Sequence, residues 1–135
     1  MINRIEIDGV DKVGKDLIAG YVDRLGNRRY VVHARGLLSM ISYNEIYERN
    51  YDYSQEIANN KDTLIVHIMA DEKDLEIRHK LSNEPKIDIR RDLIVFQKNA
   101  DYLKEKGLQV MEFDSTCHTP FEIALDILDY VEANK

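Results

Sequence analysis

The chain has little of what disulfide-stabilised or membrane-spanning proteins require. Its 135 residues include one cysteine, two prolines, six glycines and no tryptophan. Cys117 has no second cysteine with which to form an intrachain disulfide, which favours a reducing compartment, and we therefore expect a cytoplasmic protein. The sequence has no run of about 18 apolar residues and no apolar signal core at its start, so we expect no membrane segment.

Positive charge is also scarce. Lysine and arginine number 19 against 25 aspartates and glutamates, and the formal net charge is −6. This balance argues against binding of a nucleic-acid polymer, which depends on basic surfaces, but it leaves room for a local phosphate site. The length is close to that of one ordinary domain, and we predict a single domain over residues 1–135.

Hydrophobic periodicity predicts strands that alternate with helices. The strands are expected over 4–7, 30–33, 63–68 and 108–113, and the helices over 17–25, 37–49, 74–81, 92–106 and 120–133. The run 63–68 is almost continuously apolar, which is typical of a strand buried in a parallel sheet. Thr119 is a candidate N-cap before Pro120. The pattern predicts an α/β domain with a mainly parallel sheet.

The loop after the first strand carries a phosphate-binding pattern. Residues 9–15 read Gly-Val-Asp-Lys-Val-Gly-Lys, which fits G-x4-G-K. Glycines at Gly9 and Gly14 let backbone N–H groups converge on phosphate oxygens, and Lys15 can reach the terminal phosphates. The helix that follows presents its N-terminus to the same anion. A strand before the pattern and a helix after it favour a true phosphate loop over an ordinary turn.

Asp16 stands where such loops normally place a serine or threonine that binds Mg²⁺. A carboxylate is an acceptable Mg²⁺ ligand. It is also a negative charge beside the phosphates, and it could serve only to stabilise the helix N-terminus through the helix dipole. The sequence leaves both interpretations of Asp16 open.

Two other groups of residues have alternative interpretations. Tyr43, Tyr47 and Tyr51 recur every four residues and share one face of the predicted helix over 37–49 and its continuation. We favour a half-buried stripe or a dimer contact over stacking on a nucleotide base. A basic stretch could bind phosphate or could be a solvated surface; it comprises Arg78, His79, Lys80, Lys86, Arg90 and Arg91.

The sequence resembles the P-loop nucleotide kinases, and the thymidylate kinase-like group most of all. Residues 8–15 look like that group's opening loop, with Lys12 where some members carry a basic residue. Residues 31–39 are similar to its strand that ends in D-R, with Arg35 matching the arginine. Residues 64–78 look like its buried strand, acidic turn and arginine-bearing helix. Residues 113–124 are similar to its last strand, adenine-contacting loop and final helix.

This resemblance implies a P-loop NTPase-like three-layer sandwich with a reduced, mainly parallel sheet of about four strands. It implies ATP as phosphate donor, Mg²⁺ as cofactor with Asp16 as its ligand, and phosphoryl transfer to a nucleoside or nucleoside monophosphate. Lys15, Arg35, Lys12 and Arg78 would be catalytic. The nucleotide would be bound by Gly9, Asp11, Val13, Gly14, Lys15, Asp16, Ser115 and Thr116. Family members are often dimers, so a homodimer is a further expectation.

Departures from the family pattern support a second hypothesis. Asp16 replaces the hydroxyl residue, and Ala34 replaces the acidic residue before Arg35. The interval between Lys15 and Tyr30 is too short for the strand and helix that the family inserts there, so we expect a truncated or missing acceptor pocket. Because phosphoryl transfer depends on positioning and charge neutralisation, these losses threaten catalysis more than folding. The alternative is a catalytically inactive kinase-like protein that binds nucleotide or protein.

Overall fold

The computed structural model describes residues 1–84 and 88–134. These residues form four strands and six helices. The strands are β1 (Arg4–Asp8), β2 (Val31–Ala34), β3 (Thr63–Met69) and β4 (Gln109–Asp114). The helices are α1 (Lys15–Leu25), α2 (Leu37–Ile46), α3 (Ser54–Ala58), α4 (Glu72–Leu81), α5 (Ile89–Glu105) and α6 (Pro120–Ala133).

The strands make one parallel sheet in the order β2-β1-β3-β4. Helix α1 packs against α6, and α2 packs against α5, so a layer of helices covers each face of the sheet. The predicted α/β fold with a parallel sheet of about four strands is confirmed. Because all four strands run the same way, their carboxyl ends meet at one edge, where ligands of such folds usually bind.

The two central strands are buried on both faces, which explains their apolar sequence. Ile5, Ile7, Leu64 and Ile68 are fully buried. Burial of such side chains contributes about 1.5–3 kcal/mol each and is the main force that holds the helices on the sheet.

Strand β1 also buries two carboxylates on the face that α2 covers. Glu6 is 2% exposed, and its Oε1 accepts a hydrogen bond from the Leu37 backbone N–H at 2.9 Å. Asp8 is fully buried, and its Oδ1 accepts from the Gly36 N–H at 2.7 Å. These carboxylates satisfy N–H groups at the start of α2 that have no partner within the helix, and they complement the positive end of its dipole. They therefore fix α2 to the sheet edge.

Some helix limits agree with the sequence pattern, and others differ for local reasons. Thr119 caps α6 in a reciprocal capping box with Glu122, which confirms the predicted N-cap. Helix α5 begins at Ile89 rather than at Asp92, because the Asp88 side chain accepts a hydrogen bond from the Arg91 N–H.

The end of α2 was predicted wrongly. The helix ends at Ile46 rather than near residue 49, because Glu48 adopts a left-handed conformation with φ of 53°. Tyr51 therefore lies outside the helix and does not continue the stripe that Tyr43 and Tyr47 begin. The Tyr43 and Tyr47 rings stack with centroids 5.8 Å apart, while Tyr51 instead contacts Tyr53 at 4.5 Å. The short helix α3, which follows this segment, was not predicted.

Two further expectations concern membrane segments and the basic stretch. In residues 1–84 and 88–134, no helix has the length and the apolar character needed to cross a membrane. Lys86 of the predicted basic stretch lies outside the described residues.

Candidate functional site

The loop with the G-x4-G-K pattern, here called the phosphate loop, occupies residues 9–14, between the end of β1 and the start of α1. Gly9 lies directly against β3: a Cβ added there would be 2.4 Å from the Ile68 carbonyl oxygen. Gly14 takes φ of 99° and is the N-cap residue of α1. Only glycine enters these conformations at little cost, and the loop can therefore turn its backbone N–H groups inward above the helix N-terminus.

Lys15 is held inside this loop. Its Nζ donates to the Gly9 carbonyl at 2.7 Å and to the Val10 carbonyl at 2.8 Å, and the residue is 6% exposed. Burial, with a smaller contribution from the nearby Arg35 cation, lowers the pKa of Lys15 to about 8. A phosphate group that reached this ammonium would favour its charged form, so an anion is the ligand that best complements it.

Six of the predicted site residues surround one depression of about 300 Å³, together with Leu17: they are Asp11, Lys12, Gly14, Lys15, Asp16 and Arg35. Asp16 is in the first turn of α1, and its side chain is 80% exposed. Its Oδ1 is 3.7 Å from Nη1 of Arg35. The depression thus combines cations, carboxylates and a helix N-terminus. The other two predicted residues of the loop lie beneath it: Val13 is buried in the core, and Gly9 is packed against β3.

Arg35 connects this depression to a second cavity. The residue has φ of 95°, unusual for a non-glycine residue, and its N–H donates to the Ile7 carbonyl at 2.8 Å. Its side chain lines both the loop depression and a cavity of about 230 Å³. The second cavity is also lined by Gly36, Ser39, Met40, Tyr43, Arg49 and Tyr53. This cavity takes its lining from residues 35–53, and the expectation of a truncated or missing acceptor pocket stays a prediction.

Behind this second cavity lies the buried carboxylate of Asp8. Its Oδ1 accepts from the Ser39 hydroxyl at 2.5 Å, while no described residue donates to Oδ2. Burial raises the pKa of Asp8 to about 6, against the lowering effect of the Ser39 and Gly36 hydrogen bonds. Asp8 holds the start of α2, directly after Arg35, through the Gly36 N–H, the Ser39 N–H and the Ser39 hydroxyl.

The raised pKa of Asp8 predicts a specific pH dependence of stability. The native state holds this proton up to about pH 6, whereas the unfolded chain releases it near pH 3.8. The stability that the proton contributes is complete below pH 3.8 and is lost as pH rises through about 6. Relative to Asp8→Asn, which does not titrate, the wild-type unfolding free energy should fall by about 3 kcal/mol across that window.

Urea denaturation of both proteins at several pH values between about 3.5 and 7.5 measures this difference. Asp23→Asn, on the exposed side of α1, serves as the control, and its stability should follow the wild-type curve. Parallel curves for wild type and Asp8→Asn would contradict the expectation and would mean that Asp8 titrates near its ordinary pKa.

Lys12 and Arg78, two of the predicted catalytic residues, are paired with other groups of the protein around the phosphate loop. The Lys12 ammonium lies 2.5 Å from a carboxylate oxygen of Glu84. The Arg78 guanidinium donates to the Lys12 carbonyl at 2.8 Å and to the Ser115 carbonyl and hydroxyl, both at 3.3 Å. It is also 2.5 Å from Asp74. Arg78 thus supports the loop from outside rather than pointing into the depression.

The predicted adenine-contacting residues belong to a different part of the edge. Ser115 bonds with Arg78 and donates to the Met69 carbonyl at 3.1 Å. The Thr116 hydroxyl accepts from the Asp71 N–H at 2.8 Å. Thr116 lines a cavity of about 540 Å³ at the ends of β3 and β4, together with Met69, Ala70, Asp71, Leu93, Gln97, Asp114 and Cys117. Neither residue lines the depression around Lys15.

Sequence reasoning missed Arg49 and Tyr53 as residues of the site. Arg49 was expected at the end of a helix and Tyr53 was given no role, and both line the second cavity. The left-handed Glu48, which turns the chain there, gave no recognisable signal, since glutamate has no preference for that conformation.

Comparison with solved structures supports the architecture. The YorR protein of Bacillus subtilis, solved in complex with phosphorylated GDP, superposes with a TM-score of 0.80. The match covers 97% of this chain and 96% of that one at 17% sequence identity. The fold is a P-loop NTPase-like three-layer sandwich. At that identity the likeness establishes the fold alone. No protein-family model matches the sequence, and a search of curated proteins found no match.

Proposed function

We propose that the protein binds ATP at the phosphate loop and transfers its terminal phosphoryl group to a nucleoside or nucleoside monophosphate. The observation that carries this proposal is that Arg35 lines both the loop depression and the second cavity. A donor phosphate in the first space and an acceptor in the second would meet at its guanidinium. Phosphoryl transfer depends mainly on such positioning and on neutralisation of charge.

The donor side is supported by the loop itself. Gly9 and Gly14 shape a backbone that can surround phosphate oxygens, and Lys15 supplies a cation beneath it. The Bacillus subtilis neighbour was solved with phosphorylated GDP, which supports a nucleotide as the ligand class. ATP as the donor, and contact of Ser115 and Thr116 with its adenine, come from the resemblance to nucleotide kinases.

The donor set at the loop fits Mg²⁺ in partnership with a nucleotide. Asp11 and Asp16 offer carboxylate oxygens in the same depression. Within the described ranges, no three His, Cys, Asp or Glu side chains are grouped so as to hold a metal by themselves. Mg²⁺ commonly binds through one or two carboxylates plus substrate phosphates, so these residues would hold it only with nucleotide present. When bound, the ion would neutralise charge on the phosphates.

This chain's own residues have distinct roles in the proposal. Lys15 would bind the terminal phosphates, and Arg35 would bridge donor and acceptor by neutralising the transferring group. Arg78 would keep the loop in place through the Lys12 carbonyl. Asp8 would orient the Arg35–α2 junction through Gly36 and Ser39.

Thermal unfolding with and without ATP, each with and without Mg²⁺, tests the donor site. ATP at about 100 times its dissociation constant should add about 2.7 kcal/mol to the free energy of unfolding, which raises the unfolding temperature of a domain of this size by roughly ten degrees.

In Asp16→Asn we expect stronger binding of ATP without Mg²⁺, because a negative charge is removed, and a smaller gain in affinity from Mg²⁺. Asp23→Asn on the same helix is the matched control and should retain the wild-type gain.

The outcomes of these experiments separate the two functional hypotheses. Formation of ADP that depends on an added nucleoside or nucleoside monophosphate would establish transfer. Stabilisation by ATP without acceptor-dependent ADP would favour a non-catalytic nucleotide-binding protein, a hypothesis supported by Ala34 in place of the family's acidic residue. No shift at millimolar ATP would contradict the proposed donor site.

A further inference from the structure

A small cavity lies between the phosphate loop and helices α4 and α5. Its lining comes from Val10, Asp11, Leu75, His79, Ile89 and Asp92. The free space is about 10 Å³, which is close to what one water molecule needs. Asp11 also lines the larger depression around Lys15. A carboxylate of the phosphate loop therefore borders both spaces.

One buried nitrogen of the cavity lining has no partner in the described part of the chain. His79 is 4% exposed, and no group among residues 1–84 and 88–134 forms a hydrogen bond with its Nδ1. Buried polar atoms are nearly always hydrogen-bonded to protein or to ordered water, because an unpaired one is costly. Ordered water is the class of partner that the size of this cavity allows.

Two carboxylates line the same cavity. Asp92 is 3% exposed, and its Oδ1 accepts hydrogen bonds from Nε and Nη2 of Arg91 at 3.2 and 3.1 Å. The charge of Asp11 raises the pKa of Lys15, which partly offsets the lowering by burial. Each carboxylate can accept a further hydrogen bond from a water molecule. The position of Asp11 also bears on the lysine that would bind the phosphates.

The neighbours of His79 and Asp11 fix the distance between α4 and the phosphate loop. Arg78, which precedes His79, donates from Nη1 to the carbonyl of Lys12, which follows Asp11, at 2.8 Å. The His79 carbonyl accepts from the Ser82 hydroxyl at 3.1 Å. The imidazole and the Asp11 carboxylate are therefore held in place around the cavity, and no direct hydrogen bond joins Nδ1 to that carboxylate.

We propose that His79 is a positioning residue, which orients the Asp11 carboxylate through one water molecule in this cavity. The Nδ1–H of His79 would donate to the water oxygen, and the two water hydrogens would go to Asp11 and Asp92. Three partners are the usual number for a buried water.

The consequence for nucleotide binding rests on the proposed function. Asp11 would be one of the carboxylates that hold Mg²⁺ together with the ATP phosphates. A carboxylate that is already oriented by a hydrogen bond loses less freedom when it binds a metal, and such outer partners commonly change metal affinity. His79 would thus act on the metal without touching it.

A double-variant cycle tests the bridge without any nucleotide. His79→Phe keeps a ring and removes its nitrogens, Asp11→Ala removes the carboxylate, and thermal unfolding is measured for both and for the double variant. Because either change breaks the same bridge, the double variant should unfold about 3 °C higher than the sum of the two separate shifts predicts. Asp16→Ala, which lines the depression but not the small cavity, is the matched control and should combine additively with His79→Phe.

The control also identifies strain from the larger phenyl ring, because such strain would appear with Asp16→Ala as well. The water itself is observed by water–protein NOE measurements. A long-lived water should give cross-peaks to side-chain protons of Leu75 and Ile89, which line the cavity, and these should disappear in His79→Phe.

Isothermal titration with ATP, with and without Mg²⁺, separates positioning from a general structural role. In His79→Phe the gain in affinity from Mg²⁺ should fall about threefold or more, as expected for loss of one hydrogen bond, while affinity without Mg²⁺ should hardly change. His79→Asn carries an amide atom two bonds from Cβ, as Nδ1 is, and should recover part of the gain. His33→Phe, at an exposed histidine of β2, should keep the wild-type gain.

The possible results decide between the inference and the proposed function. Additive shifts of His79→Phe and Asp11→Ala, or absence of the water cross-peaks, would overturn the bridge. Coupling of the two residues with an unchanged Mg²⁺ gain in His79→Phe would overturn the positioning role. Absence of ATP binding to the wild type would overturn the proposed function, and the unfolding cycle and the NOE measurements would still decide whether a water joins His79 to Asp11.

Discussion

Lys15→Met should weaken ATP binding by about 100-fold or more and should remove detectable phosphoryl transfer. Lys15 is the cation that the loop encloses, with its Nζ bonded to two loop carbonyls at 2.7 and 2.8 Å. In the proposed complex this Nζ would donate instead to phosphate oxygens. Charge-assisted hydrogen bonds contribute about 1.5–3 kcal/mol each, so loss of two of them corresponds to about this factor in affinity. Isothermal titration with ATP measures the change.

The lowered pKa of Lys15 gives this prediction a second readout. Burial places that pKa at about 8, and bound phosphates would raise it again. Wild-type affinity for ATP should therefore fall as pH rises above about 8, with proton uptake on binding in that range. The effect should be absent in Lys15→Met.

Controls separate a binding effect from loss of folding. Lys98→Met removes a lysine on α5 that is paired with Glu45 at the surface, and it should bind ATP as wild type does. Lys15→Arg keeps a cation at the loop. It is the second variant to be tested if Lys15→Met does not fold. Wild-type affinity in a folded Lys15→Met protein would show that the phosphates do not bind at this loop.

Gly9→Ala should destabilise the protein by about 3 kcal/mol or more. The added Cβ would lie 2.4 Å from the Ile68 carbonyl oxygen and 2.9 Å from a methyl carbon of Val13. The carbonyl belongs to β3, a central strand of the sheet, so it cannot move away without disturbing the strand packing. Overpacking of this kind commonly costs 1–3 kcal/mol, and a clash with backbone falls at or beyond the upper end.

Gly20→Ala provides the matched control for Gly9→Ala. Gly20 lies inside α1, and its added Cβ would be 3.7 Å from a guanidinium nitrogen of Arg24, an ordinary contact. Alanine is the better helix residue, so this variant should be more stable by roughly 0.5–1 kcal/mol. Urea denaturation of both variants gives the comparison. Equal stability of Gly9→Ala and wild type would contradict the close approach of the phosphate loop to β3.

The fold was more predictable from sequence than the site. Apolar runs such as residues 63–68 and the helical face of α5 reflect burial, which acts on many residues at once and leaves a periodic signal. The G-x4-G-K pattern located the loop because the local backbone conformation of the loop requires glycine at fixed positions. The burial of Asp8 was not predictable, since its hydrogen bonds come from residues 36 and 39, far along the chain.

The same distance along the chain explains contacts that the sequence did not indicate. Arg78 stays a predicted catalytic residue, and its partners Lys12 and Ser115 are brought to it only by the folded sheet edge. The helix through Tyr51 was expected from spacing alone, which carries no information about the left-handed turn at Glu48. The spacing of apolar residues indicates only periodic structure, that is, helices and strands. Arg49 and Tyr53 of the second cavity come from the stretch between α2 and α3, which has no such period.

The contacts of Arg78 have a consequence for how the sheet edge responds to a ligand. One guanidinium joins helix α4, the phosphate loop through Lys12, and the loop after β4 through Ser115. These three parts come from distant stretches of sequence, and they share a single rigid planar group. We therefore expect their fluctuations to be coupled, so that a ligand which orders the phosphate loop also lowers the entropy of the loop after β4. The edge would then respond as one cooperative unit, and the free-energy cost of ordering both loops would fall on a single binding event.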